Sequence, residues 1–316
     1  MSHKIRGFTV LELLVASAVS IILIGLFLSV SANILDAWRQ SRDSLSTNAK
    51  ARIVLNTLTT DLESAILRDD RGVWLACDLL ETRATSNRWE RADFPQKEKP
   101  NDATSLEIDF ANPDLGLSHF RFGVAGAWLR FFASPTDAAG SGDGGDVNAV
   151  AYQMIRRKPH SRSSELEESY NLYRSIVRSD YTLEEVKEDE GYFIDQFDGR
   201  SYEGQPGEVT TPRNDSSLLA RDVVDLGVVF YHKNALGQDE ALFPLTTGGR
   251  QFRVPRDGIP ESADVFVRIL DEEGAKQINA YERGLIPSTQ PDFWWETVNR
   301  FSTVYSKRVH FKTGSP

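Results

Sequence analysis

The sequence predicts an α+β protein in which one long N-terminal helix packs on an antiparallel β-sheet head. Three observations carry this. An apolar run from Phe8 to about Val30 continues, without a proline, into a repeat of apolar residues at three and four as far as Ile66. After Gly72 that period stops, and short runs rich in Val, Phe, Tyr and Leu take over, several of them alternating. Clusters of Gly, Pro, Ser and Asn separate those runs.

The first element is the apolar run. Phe8 to Leu35 is 28 residues, or ~42 Å of helix at ~1.5 Å per residue, against a hydrocarbon core of ~30 Å. Ser17, Ser20, Gly25 and Ser29 are small enough for a membrane helix. Lys4 and Arg6 stand just before it, which holds the N-terminus on the cytoplasmic side and sends the rest of the chain across. A cleaved secretory signal has a shorter apolar core and a small-residue site after it. The segment Asn33-Ile34-Leu35-Asp36 offers no such site. A plain signal anchor explains the length and the flanking charges but not Glu12. A lone carboxylate in hydrocarbon costs ~2.5 kcal/mol or more, so it needs a partner.

The second element continues the first. Leu45, Ala49, Ile53 (or Arg52), Leu55, Leu58, Leu62, Ala65 and Ile66 form the face expected to meet the sheet. Arg42, Asp43, Asn48, Lys50 and Asp61 are placed on the other face. Gly72, after Arg68-Asp69-Asp70-Arg71, is the expected stop, with the helix ending near Asp69.

The head follows in order. Val73–Ala76 reads as a short strand and 81–104 as loop. Strands are expected at Ser105–Phe110, Ala127–Ala133, Ala149–Arg156 and Tyr170–Arg178. The Gly-rich 140–146 segment is a turn; Asp143 and Asp146 lack the spacing of a calcium loop, so a solvated turn is expected. Arg156-Arg157-Lys158, before Pro159, reads as an exposed strand end. Thr182–Glu190 is an acidic surface helix, and 199–216 a long loop. Leu218–Leu226 leads into Val228–His232, and Pro260 introduces a strand over Val265–Leu270. Asp271–Gly284 and Asp292–Arg300 read as helices of an insertion, with Trp294-Trp295 half-buried. Phe301–Phe311 closes as a strand. A second sheet in the head is expected.

Composition narrows the function. The net charge of −10 becomes −12 if Lys4 and Arg6 are lost. An acidic head without a basic stripe argues against nucleic acid as a main partner. One cysteine, Cys77, rules out a disulfide within the chain and reads as a small buried hydrophobe.

Gly7-Phe8-Thr9-Val10-Leu11-Glu12-Leu13-Leu14-Val15 resembles the class III signal of type IV pilins and pseudopilins. The resemblance implies a pilin-like fold, with a leader at 1–7, a membrane helix at 8–35, a periplasmic stem at 36–70 and a head at 71–316. It implies cleavage between Gly7 and Phe8 by a prepilin peptidase, N-methylation of Phe8, and pairing of Glu12 with the terminal amine of a neighbouring subunit. Ala151-Tyr152 with Leu172-Tyr173-Arg174, Leu218–Tyr231, and Pro260-Glu-Ser-Ala263-Asp-Val-Phe-Val267 are similar to J-type minor pseudopilins of type II secretion. The insertion at about 271–300 departs from that pattern, and the outline is similar to the Verru_Chthon cassette protein C family. The implied partners are other pilin-like subunits, the peptidase, an inner-membrane assembly platform and lipid. Fibre assembly at the bacterial inner membrane is the function implied. A minor pilin of an adhesive or DNA-uptake pilus, or a membrane-anchored periplasmic binding protein, remains the alternative.

No catalytic arrangement stands out. His3, His119, His160, His232 and His310 are scattered without metal-ligand spacing. Gly-x-Ser-x-Gly and phosphate-loop motifs are absent, and Gly248-Gly249-Arg250 reads as a turn. No cofactor, metal or enzymatic activity is expected.

Overall fold

The computed structural model describes residues 9–79, 106–107, 121–122, 126–135, 147–157, 168–185, 191–196, 217–244, 251–286 and 293–312. The chain divides into two units, Met1–Ser46 and Thr47–Pro316. Helix α1 (Val10–Glu63) begins in the first and ends in the second.

Within the second unit α1 buries Ala51, Val54, Leu55, Leu58, Leu62 and, just beyond the helix, Ala65. These recur at three and four, one stripe of a 3.6-residue period. Leu55, Leu58, Leu62 and Ala65 lie on the expected face, but in the first half Ala51 and Val54 take the place of Ala49 and Ile53. Leu45 and Ile53 are 69% and 57% exposed, and Ala49 is exposed too. Ile53 lies ~100° round the helix from Val54 and so points away from the core. Asp61 and Lys50, expected on the solvent face, are buried and half-buried.

The helix stops at Glu63, before the expected end near Asp69. The Ser64 and Ala65 amides bond to the Asp61 and Leu62 carbonyls at 3.1 Å, tightening the last turn. The Ile66 amide then donates to the Phe132 carbonyl at 2.8 Å, and Ala65 pairs with Ala133. Sheet pairing takes the backbone groups that further helix would need.

The larger sheet has the order β10-β1-β4-β5-β6-β7. Its strands are β1 (Leu75–Leu79), β4 (Ala127–Ala133), β5 (Asn148–Arg157), β6 (Ser169–Val177), β7 (Leu218–Arg221) and β10 (Gln251–Val254). Every residue of β1 and β4 is buried, because both faces are covered. One face of β4 packs Leu129 and Phe131 into the main core; the other packs Phe132 with Trp74, Ala149, Ala151 and Ile194. Tyr192 stacks on Trp74 at 4.6 Å to close that second cluster.

The smaller sheet has the order β12-β11-β8-β9, from β8 (Val223–Lys233), β9 (Asp239–Phe243), β11 (Ser262–Leu270) and β12 (Ser302–His310). All neighbours in both sheets are antiparallel. The chain crosses from one sheet to the other between β7 and β8 at Asp222, whose φ is +64°. A short ribbon, β2 (Leu106–Glu107) with β3 (Arg121–Phe122), lays Phe122 on Gly227 of β8. β3, β9 and β10 were not among the expected strands.

Three helices complete the head. α2 (Ser179–Glu185) buries Ser179 and Thr182, so its described part is not a purely solvated face. α3 (Glu272–Glu282) starts at an Asp271 cap that accepts from the Gly274 amide at 2.7 Å. α4 (Phe293–Phe301) crosses it closely at Gly274, where a Cβ would stand 2.5 Å from the Phe301 Cβ. These two helices belong to the core. Ile278, Trp294, Trp295 and Val298 are all buried, so the tryptophans are fully rather than half covered. The expected loops at 81–104 and 199–216, the turns at 140–146 and 248–250, and the segment 186–190 lie outside the described residues.

Candidate assembly site

The apolar stretch of α1, Val10–Leu35, is 26 residues long and entirely unburied. It is long and apolar enough to cross a membrane. Two of its hydroxyls turn back on the helix: Ser17 donates to the Leu14 carbonyl at 2.9 Å and Ser20 to the Ala16 carbonyl at 2.8 Å. Such bonds satisfy polar groups without help from water.

Glu12 sits in the first turn of α1. The Thr9 amide and hydroxyl both donate to Glu12 Oε2, at 2.8 and 3.0 Å. The Glu12 amide donates to Thr9 Oγ1 at 3.3 Å. This is a capping box: two residues three apart satisfy each other's amides at a helix start. Glu12 is thus aimed back toward the N-terminal end of the helix. Its other oxygen, Oε1, receives no bond from Thr9. Gly7, Phe8, Lys4 and Arg6 lie outside the described residues.

Three polar ties hold the second half of α1 in the head. Asp61 accepts two bonds from Arg174 of β6, both 2.7 Å, and one from the Tyr152 hydroxyl of β5. Lys50 donates to Asp222 at 2.9 Å. Lys307 of β12 donates to Asn56 Oδ1 and Thr59 Oγ1, each at 3.0 Å. Burial, and then the Asp61 carboxylate, push the Tyr152 hydroxyl well above its ordinary pKa, so it stays a donor. The placement of Asp61 escaped the sequence reading, although it lies three residues after Leu58 and one before Leu62. A carboxylate inside an apolar stripe was the available signal.

Arg156, expected at an exposed strand end, is buried. It pairs with Glu282 at the end of α3 and, at 2.7 Å, with Glu168. Glu282 also accepts from the Tyr170 hydroxyl at 2.7 Å and the Trp294 indole at 2.9 Å. A third cluster, on the outer face of the larger sheet, joins Asp78 to Arg130 and Arg253, with Asp195 on Arg253 at 3.2 Å. Cys77 is buried as expected; burial pushes its thiol up, which leaves it unreactive. Among the described residues no three His, Cys, Asp or Glu side chains are placed to hold a metal. His232 lies 3.9 Å from Glu240, and His310 is at the end of β12. His3, His119, His160, Asp143 and Asp146 fall outside the described residues.

The fold and this site define a class: an α+β protein with an unburied apolar helix at its N-terminus and antiparallel sheets behind it. Comparison with protein-family models, curated proteins and solved structures finds no match.

Proposed function

We propose that this chain is a minor pseudopilin, a structural subunit of a type II secretion-type fibre. It is made as a single-pass inner-membrane protein with its N-terminus in the cytoplasm and its head in the periplasm. A prepilin peptidase removes Met1–Gly7 and methylates Phe8. The subunit then enters a fibre through α1. Both the pilin-like fold and this assembly role rest on the resemblance at residues 7–15.

The observation that carries the proposal is Glu12 in a capping box at the start of α1, within a 26-residue apolar stretch that is unburied. A carboxylate tolerated there must be useful there. The capping box holds one oxygen and directs the group toward the helix start. Once the leader is gone, the terminal ammonium of an adjacent subunit is a cation of matching charge at matching depth. A head that builds its own core around α1 leaves the apolar half free to pack beside its neighbours.

Mass spectrometry of the mature N-terminus tests this. The expected chain begins at methylated Phe8. A chain that keeps Met1–Gly7 in cells holding an active peptidase overturns the proposal. Glu12→Ala is expected to leave cleavage intact and to block incorporation into fibres.

A further inference from the structure

The smaller sheet ends in two strands whose outer edges are unpaired among the described residues, β9 on one side and β12 on the other. β12 pairs with β11 over nine residues without a register shift, whereas the β8–β11 and β8–β9 ladders each carry one. It contains no proline and is largely exposed. A long, regular, open edge invites another strand.

The two edges match. The Phe311 amide bonds to the Glu261 carbonyl and the Asp271 amide to the Phe301 carbonyl, both at 2.9 Å. Odd-numbered residues of β12 therefore bond to β11, and even-numbered ones present their backbone groups outward. The Asn234 amide bonds to the Gln238 carbonyl at 2.9 Å. In β9 this turns Glu240 toward β8 and leaves Asp239 and Ala241 outward.

We propose that β9 of one copy of this chain adds antiparallel to β12 of the next. Asp239 then stands opposite Arg308, Glu240 opposite Lys307, and Ala241 opposite Ser306. Outward groups meet outward groups in this register. The faces agree as well. Arg308 and Asp239 of one molecule share a face, since they bond at 2.7 Å, and Lys307 and Glu240 both lie on the other. Lys307 meets only neutral oxygens within its own chain among the described residues, so the Glu240 of a neighbour supplies its counter-charge. Opposite charges directly across a ladder favour pairing. Glu240 with Lys307 is a new pair of this kind, whereas Arg308 already bonds to Asp239 and Asp264 of its own molecule and is shared with the neighbour's Asp239. In the order β12-β11-β8-β9 the new strand continues the alternation, so the added copy keeps the direction of the first. Such a head-to-tail contact does not close on itself. The common direction suits subunits anchored in one membrane, and in that respect the inference rests on the proposed function.

Disulfide trapping in the full chain, in its membrane, tests it. β9 and β12 of one molecule are three strand spacings apart, ~14 Å, which is beyond the ~7 Å a disulfide can span. An Ala241→Cys/Ser306→Cys double variant should give a ladder of dimers, trimers and larger species on non-reducing gels. Each single variant should remain monomeric, with buried Cys77 as the shared background. Glu240→Lys should cut the ladder about fivefold, and adding Lys307→Glu should restore it. A double variant no more cross-linked than the singles overturns the proposal. So does dimerisation of Ser306→Cys alone, which would mean β12 pairs with itself, or indifference to Glu240→Lys. The N-terminus is sequenced in the same sample. A chain starting at Phe8 without a ladder refutes this contact only; a ladder from chains that keep the leader refutes the fibre-subunit assignment only.

Discussion

Asp61→Ala is a severe change in the second half of α1. Asp61 is buried, and its carboxylate receives two bonds from Arg174 and one from the buried Tyr152 hydroxyl. Removing it takes the acceptor from a phenol in a dry site and leaves Arg174 without its carboxylate partner. Breaking a buried ion pair from one side costs ~3–5 kcal/mol. The Arg174 side chain is 20% exposed, so water recovers part of that, and ~3 kcal/mol is the expected loss. At ~2–4 °C per kcal/mol for a large domain, the melting temperature should fall by ~6–12 °C. The assay is thermal unfolding of the detergent-solubilised chain, followed by circular dichroism. A double-mutant cycle with Tyr152→Phe should show coupling of at least ~0.5 kcal/mol, because the two groups share one bond. A shift below ~3 °C, or strict additivity with Tyr152→Phe, would refute the view that Asp61 ties the helix to the larger sheet.

Other changes reach other parts of the head. Glu282→Ala removes the acceptor shared by Arg156, Tyr170 and Trp294; a loss of ~2–4 kcal/mol is expected, with faster hydrogen exchange in α3 and α4 than elsewhere. Gly227→Ala would place a Cβ 2.2 Å from the Phe122 ring, which should cost ~1–3 kcal/mol in urea unfolding. In a Phe122→Ala background the same change should cost nothing further. Burial, and then Glu282, raise the Tyr170 pKa as burial and Asp61 raise that of Tyr152; burial and then Asp264 bring Tyr231 to about 12. Groups whose folded pKa is raised stabilise fully below the unfolded value near 10 and lose that contribution as pH climbs through the folded one. Unfolding free energy should therefore fall from pH 10 to pH 12. Tyr231→Phe should make that fall shallower.

Much of the head was legible because its strands announce themselves. Ala127–Ala133 and Tyr170–Val177 are long, apolar and bounded by turn residues, and their limits fall close to the expected ones. The two helices after Leu270 were expected as an insertion, and α3 and α4 match their expected limits to within two residues. Edge strands were not. Asp239–Phe243 and Gln251–Val254 are short and partly polar, and pairing with β8 and β1 rather than their own composition makes them strands. The end of α1 was missed for a similar reason: no glycine or proline stops it at Glu63, but the Phe132 carbonyl claims the Ile66 amide. Arg156 misled in the opposite direction. A run of three cations suggests solvent, yet the first turns inward to Glu282, which lies 126 positions later in the chain. Glu12 was visible from its neighbours alone; its capping by Thr9 needed only the spacing of three.

The ties at Lys50, at Asn56 with Thr59, and at Asp61 lie along about three turns of one rod, and the three grip different parts of the head: the crossover at Asp222, β12, and the β5–β6 pair. Tension drawn along that rod loads all of them at once, as in a lap joint pulled in shear. None can be opened alone by peeling. A pull on this part of α1 would carry the head with it intact.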